Sequence, residues 1–307
     1  MKTIYRISIY AILGLSFLIS CSGDDDKRFV LLDSSQTNIN FSNDVEPTPE
    51  FNIQNYLYFY DGGGVAAGDI NNDGLTDLFF TGNMVHNRLY LNRGNFEFED
   101  ITESAGIEDS DESWSTGVTM ADVNGDGYLD IYVSRVNFLV KSGANQLFIN
   151  NGDGTFTDQA SDYGLDFEGY STQAAFFDYN NDGRLDLFLM NHSFHSENTY
   201  GQAEVLRQRK DEKGGDRLYR NDGDTFSDVT EDANIISSAL GYGLGLAITD
   251  INQDGYPDIY VGNDFHEDDY LYINNGDGTF TERLYDAVSQ TSRSSMGTTV
   301  RSRAPTY

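Results

Sequence analysis

Four stretches of this 307-residue chain carry the residue types and spacing of a cation loop. They are Asp69-Asn71-Asp73-Gly74-Asp77, Asp122-Asn124-Asp126-Gly127-Asp130, Asp178-Asn180-Asp182-Gly183-Asp186 and Asp250-Asn252-Asp254-Gly255-Asp258. Each reads D-x-N-x-D-G-x-x-D, with side-chain oxygens at positions 1, 3, 5 and 9 and a glycine where the chain must turn sharply. Calcium takes about six to eight hard oxygens, and alternate positions of a tight loop turn them inward. Position 7 (Leu75, Tyr128, Arg184, Tyr256) is expected to give only its carbonyl, leaving its side chain free to vary. An EF-hand is excluded, because position 12 is Phe80, Val133, Leu189 or Val261 and not a bidentate Glu. The ninth-position Asp must then supply the bidentate grip. Asn, Asp and Gly also make metal-free turns. Three carboxylates per loop, repeated in register, repel one another unless a cation lies between them. Magnesium is the poorer match, since it keeps several waters. The expectation is one structural calcium ion per loop.

The composition agrees. Against 19 Lys+Arg stand 50 Asp+Glu, a net charge of −31. Phosphate binding needs clustered cations, so nucleic acid is not an expected partner. With 38% hydrophobic and 13% aromatic residues the chain has material for a core, and disorder does not explain the acidity.

The loops sit inside a repeated unit. A short apolar strand leads in, as in Gly64-Val-Ala-Ala-Gly68 or Gly243-Leu-Gly-Leu-Ala-Ile248, and a second follows the loop (Leu78–Phe80, Ile131–Val133, Leu187–Met190, Ile259–Val261). A third spans Asn87–Asn92, Asn145–Asn150, Asp216–Asn221 and Asp269–Asn274, and a glycine turn leads to a fourth. Loop starts 53, 56 and 72 residues apart suit blades of a propeller better than solenoid coils. The fold class expected is all-β, a β-propeller of four-stranded antiparallel blades. Residues 41–291 hold four recognisable units, the third with an exposed insertion over His192–Gly215. Ser292–Gly297 reads as the lead-in to a fifth, and residues 292–307 as a truncated, disordered repeat. Phe51–Tyr60 is strand-like and placed to cover the open edge of the fourth unit.

The first twenty residues have the layout of a signal peptide: Lys2 and Arg6, then an apolar run from Ile7 to Ile19 too short to span a bilayer comfortably. Leu18-Ile19-Ser20-Cys21 resembles a bacterial lipobox, which makes Cys21 the lipidation site and residues 21–40 an acidic tether. Cys21 is the only cysteine, and a lone exported thiol is otherwise unusual. Export to the outer membrane or cell surface on a lipid anchor follows.

The repeat resembles the FG-GAP or VCBS repeat of integrin-α-type propellers over about Gly62 to Thr281. Gly62-Gly-Gly-Val-Ala-Ala-Gly-Asp69 and Asn263-Asp-Phe-His-Glu267 look like the amino-terminal part of bacterial lipoproteins related to cartilage acidic protein. That resemblance implies structural calcium away from the ligand face. It also implies seven blades and a carboxy-terminal ASPIC/UnbV domain, against which this chain reads as truncated.

The functional expectation is a calcium-stabilised binding or scaffold module at the cell surface, with a protein or glycan ligand. The competing reading is a glycan-active lyase or hydrolase using His192 and His195, or His266 with Glu267 and Asp269. A histidine pair in a polar loop is ordinarily solvated, and no G-x-S-x-G, H-E-x-x-H or phosphate-binding glycine loop is present.

Overall fold

Each aspartate loop joins two strands, and each such pair is extended by two more. In the computed structural model, which describes residues 29–107, 109, 112–194, 203–207, 209–265, 267–292, 295 and 297–299, this happens four times. The first sheet contains β1 (Val65–Gly68), β2 (Asp77–Phe80), β3 (Arg88–Asn92) and β4 (Phe98–Asp100). The second contains β5 (Ser115–Ala121), β6 (Asp130–Arg135), β7 (Gln146–Asn150) and β8 (Phe156–Asp158). The third contains β9 (Ser171–Phe177), β10 (Asp186–Asn191), β11 (Arg217–Asn221) and β12 (Phe226–Asp228). The fourth contains β13 (Gly243–Thr249), β14 (Asp258–Asn263), β15 (Tyr270–Asn274) and β16 (Phe280–Glu282). Strands run in sequence order within every sheet, each antiparallel to the next, as propeller blades require. The register repeats as well: Gly68 faces Asp77, Ala121 faces Asp130, Phe177 faces Asp186 and Thr249 faces Asp258.

The second strand of a blade is sandwiched between neighbouring blades, which is why it reads as a continuous apolar run. Every residue of β6 and of β10 is buried. The core is therefore a series of layers between successive blades. Phe79 and Leu89 meet Ile131 and Phe148 in the first layer, Tyr132 and Leu147 meet Leu187 and Tyr219 in the second, and Phe188 and Leu218 meet Ile259 and Tyr272 in the third.

Inner strands approach closely. Thr116 Oγ1 donates to Ser171 O at 2.7 Å and Thr172 Oγ1 to Gly243 O at 3.0 Å, so one hydroxyl links β5 to β9 and another β9 to β13. A Cβ on Gly117 would stand 2.4 Å from Thr172 O, and only glycine permits that approach. The described part of the segment after the fourth blade continues the pattern. Ser295 N donates to Asn263 O at 3.0 Å, and Thr298 lies against Gly245 and Gly262 of that blade. Of residues 292–307, for which disorder was expected, 293, 294, 296 and 300–307 lie outside the described residues.

Two expectations need correction. Phe51–Tyr60 is not a strand covering a blade edge. It folds as consecutive turns, because Asn52 and Asn55 satisfy local backbone groups that a ladder would need: Asn52 N donates to Asn55 Oδ1 at 2.8 Å and Gln54 N to Asn52 Oδ1 at 2.9 Å. Its rings instead plug the end of the blades opposite the aspartate loops. Phe51, Tyr56, Tyr58 and Phe59 pack with Trp114, Val136 and Tyr242, which lie just outside the loop-distal ends of β5, β6 and β13.

The insertion of the third blade is likewise not wholly exposed: His192, Ser193, Gly214 and Gly215 are buried. Its interior holds a short helix, Ala203–Arg207, while residues 195–202 and 208 lie outside the described residues. Among the described residues no helix is long and apolar enough to cross a membrane.

Candidate metal loops

The four loops share one hydrogen-bond scaffold. In the first, Asp69 accepts from Asp73 N (3.1 Å) and Gly74 N (2.7 Å), Asn71 Oδ1 accepts from Asp73 N (3.1 Å), and Asp73 Oδ1 accepts from Leu75 N (2.8 Å). Asp122, Asp178 and Asp250 hold their fifth and sixth positions the same way, at 2.8–3.1 Å. The sixth-position glycine is needed for its backbone. Gly74, Gly127, Gly183 and Gly255 have φ of 85°, 91°, 88° and 95°, a region other residues enter only with strain.

The ninth-position carboxylate is the anchor of each loop. Asp77, Asp130, Asp186 and Asp258 are at most 1% exposed. Asp130 Oδ2 accepts from Val123 N at 2.9 Å and Oδ1 from Asn150 N at 2.8 Å, so the side chain ties the loop to the third strand. Asp77, Asp186 and Asp258 repeat both bonds. Burial pushes Asp130 up to about 6 and Asp186 up to about 7, opposed by the backbone N–H donors and reinforced by the loop's first and fifth carboxylates. Asp77 and Asp258 are raised for the same leading reason.

The asparagine that closes β7, β11 and β15 then wires its blade to the previous one. Asn150 Nδ2 donates to Ile70 O (2.8 Å), Asn221 Nδ2 to Val123 O (3.4 Å) and Asn274 Nδ2 to Tyr179 O (2.8 Å), in each case the residue following the first aspartate of the preceding loop. Loop order and blade packing are therefore one system.

The donor set suits a hard cation: three carboxylates, one amide and one carbonyl per loop, all oxygen. Each hydrogen bond above uses one lone pair and leaves others. Among the described residues, however, no three His, Cys, Asp or Glu side chains converge as in a finished metal centre. The third-position amide donates to the fifth-position carboxylate instead, as in Asn71 Nδ2 to Asp73 Oδ2 at 3.0 Å. The same amide-to-carboxylate contact recurs in the other three loops, at 2.8–3.1 Å.

Position 7 varies in type, yet its side chain makes contacts beyond the carbonyl role. Tyr128 and Tyr256 lie over the hairpin glycines Gly152 and Gly276, where a Cβ would stand 3.1 and 3.0 Å from the ring. Arg184 Nε donates to Asn221 O at 2.9 Å. These side chains brace the loop against the turn between the third and fourth strands.

The residues singled out for catalysis have other occupations. His192 is fully buried among the rings of Tyr56, Tyr58, Tyr170 and Phe194, and burial lowers it to about 3, opposed by the Tyr170 backbone. Glu267 takes the Arg207 guanidinium at 2.7 and 3.0 Å and the Tyr270 hydroxyl at 2.6 Å. Asp269 accepts from Asn263 N at 2.8 Å and Tyr260 OH at 2.7 Å. Cys21, His195 and His266 lie outside the described residues.

Comparison of sister blades exposes one further buried group. Tyr132 pairs its hydroxyl with Asn145 and Tyr260 with Asp269, but the third blade has Phe188 at that register, and Asp216 Oδ2 has no partner among the described residues. Burial raises the Asp216 carboxyl to about 7. A folded-state value above the unfolded 3.8 means that its contribution is present below pH 4 and is lost as pH rises through about 7. Asp216→Asn is therefore expected to gain on the wild type by about 1–3 kcal/mol between pH 5 and pH 8. Urea midpoints at the two pH values measure this, and an unchanged difference would contradict it.

The blades and their aspartate loops define an all-β repeat, and the chain belongs to the FG-GAP-like repeat family, which matches residues 69–133, 137–189, 201–261 and 250–301. It is 28% identical over 236 residues to cartilage acidic protein 1 of Xenopus tropicalis, covering 75% of this chain and 33% of that protein. It is 33% identical over 110 residues to integrin alpha-7 of Mus musculus, covering 35% of this chain and 8% of that protein. The chain thus spans about a third of the frog protein's length. A solved Agrocybe aegerita lectin that recognises non-reducing terminal N-acetylglucosamine covers 71% of this chain and 50% of its own at 22% identity, with a TM-score of 0.38, too low to bear on function.

Proposed function

We propose that this chain is a calcium-stabilised binding and scaffold module held at the cell surface. The observation that carries it is the common scaffold of the four loops: first, third and fifth side chains folded onto the same backbone N–H groups, and a ninth carboxylate locked to the third strand. Asp69, Asn71, Asp73, the Leu75 carbonyl and Asp77 would hold one ion, and the corresponding residues of the other loops one each. Calcium bound there supplies positive charge among three carboxylates and crosslinks a loop that already fastens one blade to the next. The name of the cartilage relative and that of the integrin subunit support a place outside the cell; the lipobox-like Leu18-Ile19-Ser20-Cys21 alone supports Cys21 as the lipid attachment. Anchoring is tested by mass spectrometry of the mature amino terminus.

The stoichiometry is the direct test of the metal reading. Calcium titration calorimetry of the chelator-treated protein is expected to give four sites, and Asp126→Ala, at an exposed loop position, three. Absence of bound calcium, or an unchanged count in the variant, would contradict it.

A further inference from the structure

Three Asn-Gly pairs occur in the chain: Asn124-Gly125, Asn151-Gly152 and Asn275-Gly276. Such a pair can react with itself, the glycine nitrogen attacking the asparagine Cγ, because glycine has no Cβ to shield the approach. The reaction is helped by a base at the glycine N–H and by a donor at the amide oxygen, where charge develops. The three pairs differ in what holds these groups.

Two of them lie in the hairpins between third and fourth strands. Gly152 N donates to Asn150 Oδ1 and Gly276 N to Asn274 Oδ1, both at 2.9 Å, so each nitrogen faces a neutral amide oxygen. The asparagine amides turn across the hairpin: Asn151 Nδ2 donates to Thr155 Oγ1 and Asn275 Nδ2 to Thr279 Oγ1, each at 2.9 Å.

The third pair, in the second aspartate loop, is set differently. Gly125 N donates to Asp122 Oδ1 at 2.8 Å, which places a carboxylate on the proton that must be lost. Asp126 N donates to Asn124 Oδ1 at 3.0 Å, polarising the carbon to be attacked. Asn124 and Gly125 are exposed, the space beside Gly125 is open, and water reaches both. The fourth loop position takes positive φ throughout, but in the sister loops it is Asn72, Asn181 or Gln253, whose side chains crowd the nitrogen.

We infer that Asn124 is a self-modification site of the calcium-free protein. The Asp122 carboxylate takes the Gly125 N–H proton as that nitrogen bonds to Asn124 Cγ. The Cγ–Nδ2 bond then breaks, and Nδ2 recovers the proton through water and leaves as ammonia. Water opens the resulting succinimide at either carbonyl, giving aspartate or isoaspartate, and the isoaspartyl form adds a methylene to the loop backbone. Asp122 and Asn124 are two of the residues that would hold the ion, so bound calcium occupies both the base and the amide oxygen and protects the site. The protection rests on the calcium reading, whereas the reaction does not.

Peptide mass spectrometry of the full chain, aged in mildly alkaline buffer with EDTA, tests this. Conversion of amide to acid at Asn124 is expected to be about tenfold or more faster than at Asn151 and Asn275, a modest share of what a positioned base contributes. Gly125→Asn, which installs the residue of the first and third loops, should bring Asn124 down to the hairpin rate. Asp122→Asn, which keeps an oxygen for the Gly125 N–H but no base, should do the same, with circular dichroism showing both variants folded. Saturating calcium should slow the wild type equally. Equal rates at the three asparagines, or wild-type rates in both variants, would overturn the inference. A rate unchanged by calcium in a protein that calorimetry shows to bind it would overturn the protection. Fast conversion of Asn124 in a protein that binds no calcium would sustain the site and sink the calcium reading alone.

Discussion

Replacing Asp130 with alanine is expected to cost about 3–5 kcal/mol, in calcium or without it, because the substitution strands two buried backbone donors at about 1–3 kcal/mol each and opens a small void. Val123 N and Asn150 N both point at this carboxylate, and the residue is 1% exposed. Asp126→Ala makes the contrast. Its side chain lies at the loop surface, so its removal should matter mainly when calcium is present. Urea unfolding of both variants with and without calcium isolates the anchoring contribution, which only Asp130→Ala should lose without calcium. A calcium-free loss as small in Asp130→Ala as in Asp126→Ala would contradict the anchoring role.

Trp114→Ala is expected to destabilise by about 3–5 kcal/mol. The ring is 1% exposed and meets Phe51, Tyr56 and Phe59 at centroid distances of 4.9, 5.5 and 5.4 Å, so truncation hollows out the plug. Tyr60→Ala, at a side chain 60% exposed in the same segment, should cost about 0.5 kcal/mol or less. Circular dichroism during urea unfolding measures both. Similar losses would mean that the segment is held by its backbone turns and not by ring packing.

The blades were legible because each unit repeats the same signals, and the third-strand pattern Asn/Asp-x-Leu-Tyr/Phe-x-Asn marks both ends of a real element. Its first residue bonds the second strand, as Asn145 Oδ1 does to Arg135 N, and its last reaches into the neighbouring loop. Repetition likewise exposed the loop positions, but the ninth aspartate, read from the sequence only as a cation ligand, proved to be an anchor through its place at the start of β2, β6, β10 and β14.

Phe51–Tyr60 misled because its alternation of rings suits a strand, while the competing signal, asparagine side chains capturing local backbone groups, acts over only a few residues. His192 looked solvated because its partners, Tyr56, Tyr58 and Tyr170, come from distant parts of the chain. No pattern along the sequence could bring them together. The bracing role of Tyr128 and Tyr256 was hidden for a different reason: loop logic assigns position 7 only a carbonyl, and the ring's contact depends on where the next hairpin turns.

The account stands most directly on whether calcium holds the blades together. Differential scanning calorimetry of the full chain in millimolar calcium and in excess EDTA decides it. Binding to the native state alone is worth on the order of 1–3 kcal/mol per site. With four loops the midpoint is expected to fall by about 10 °C or more on chelation and to recover when calcium is restored. Coincident melting curves in the two buffers would contradict the central claim and leave the loops as metal-free turns.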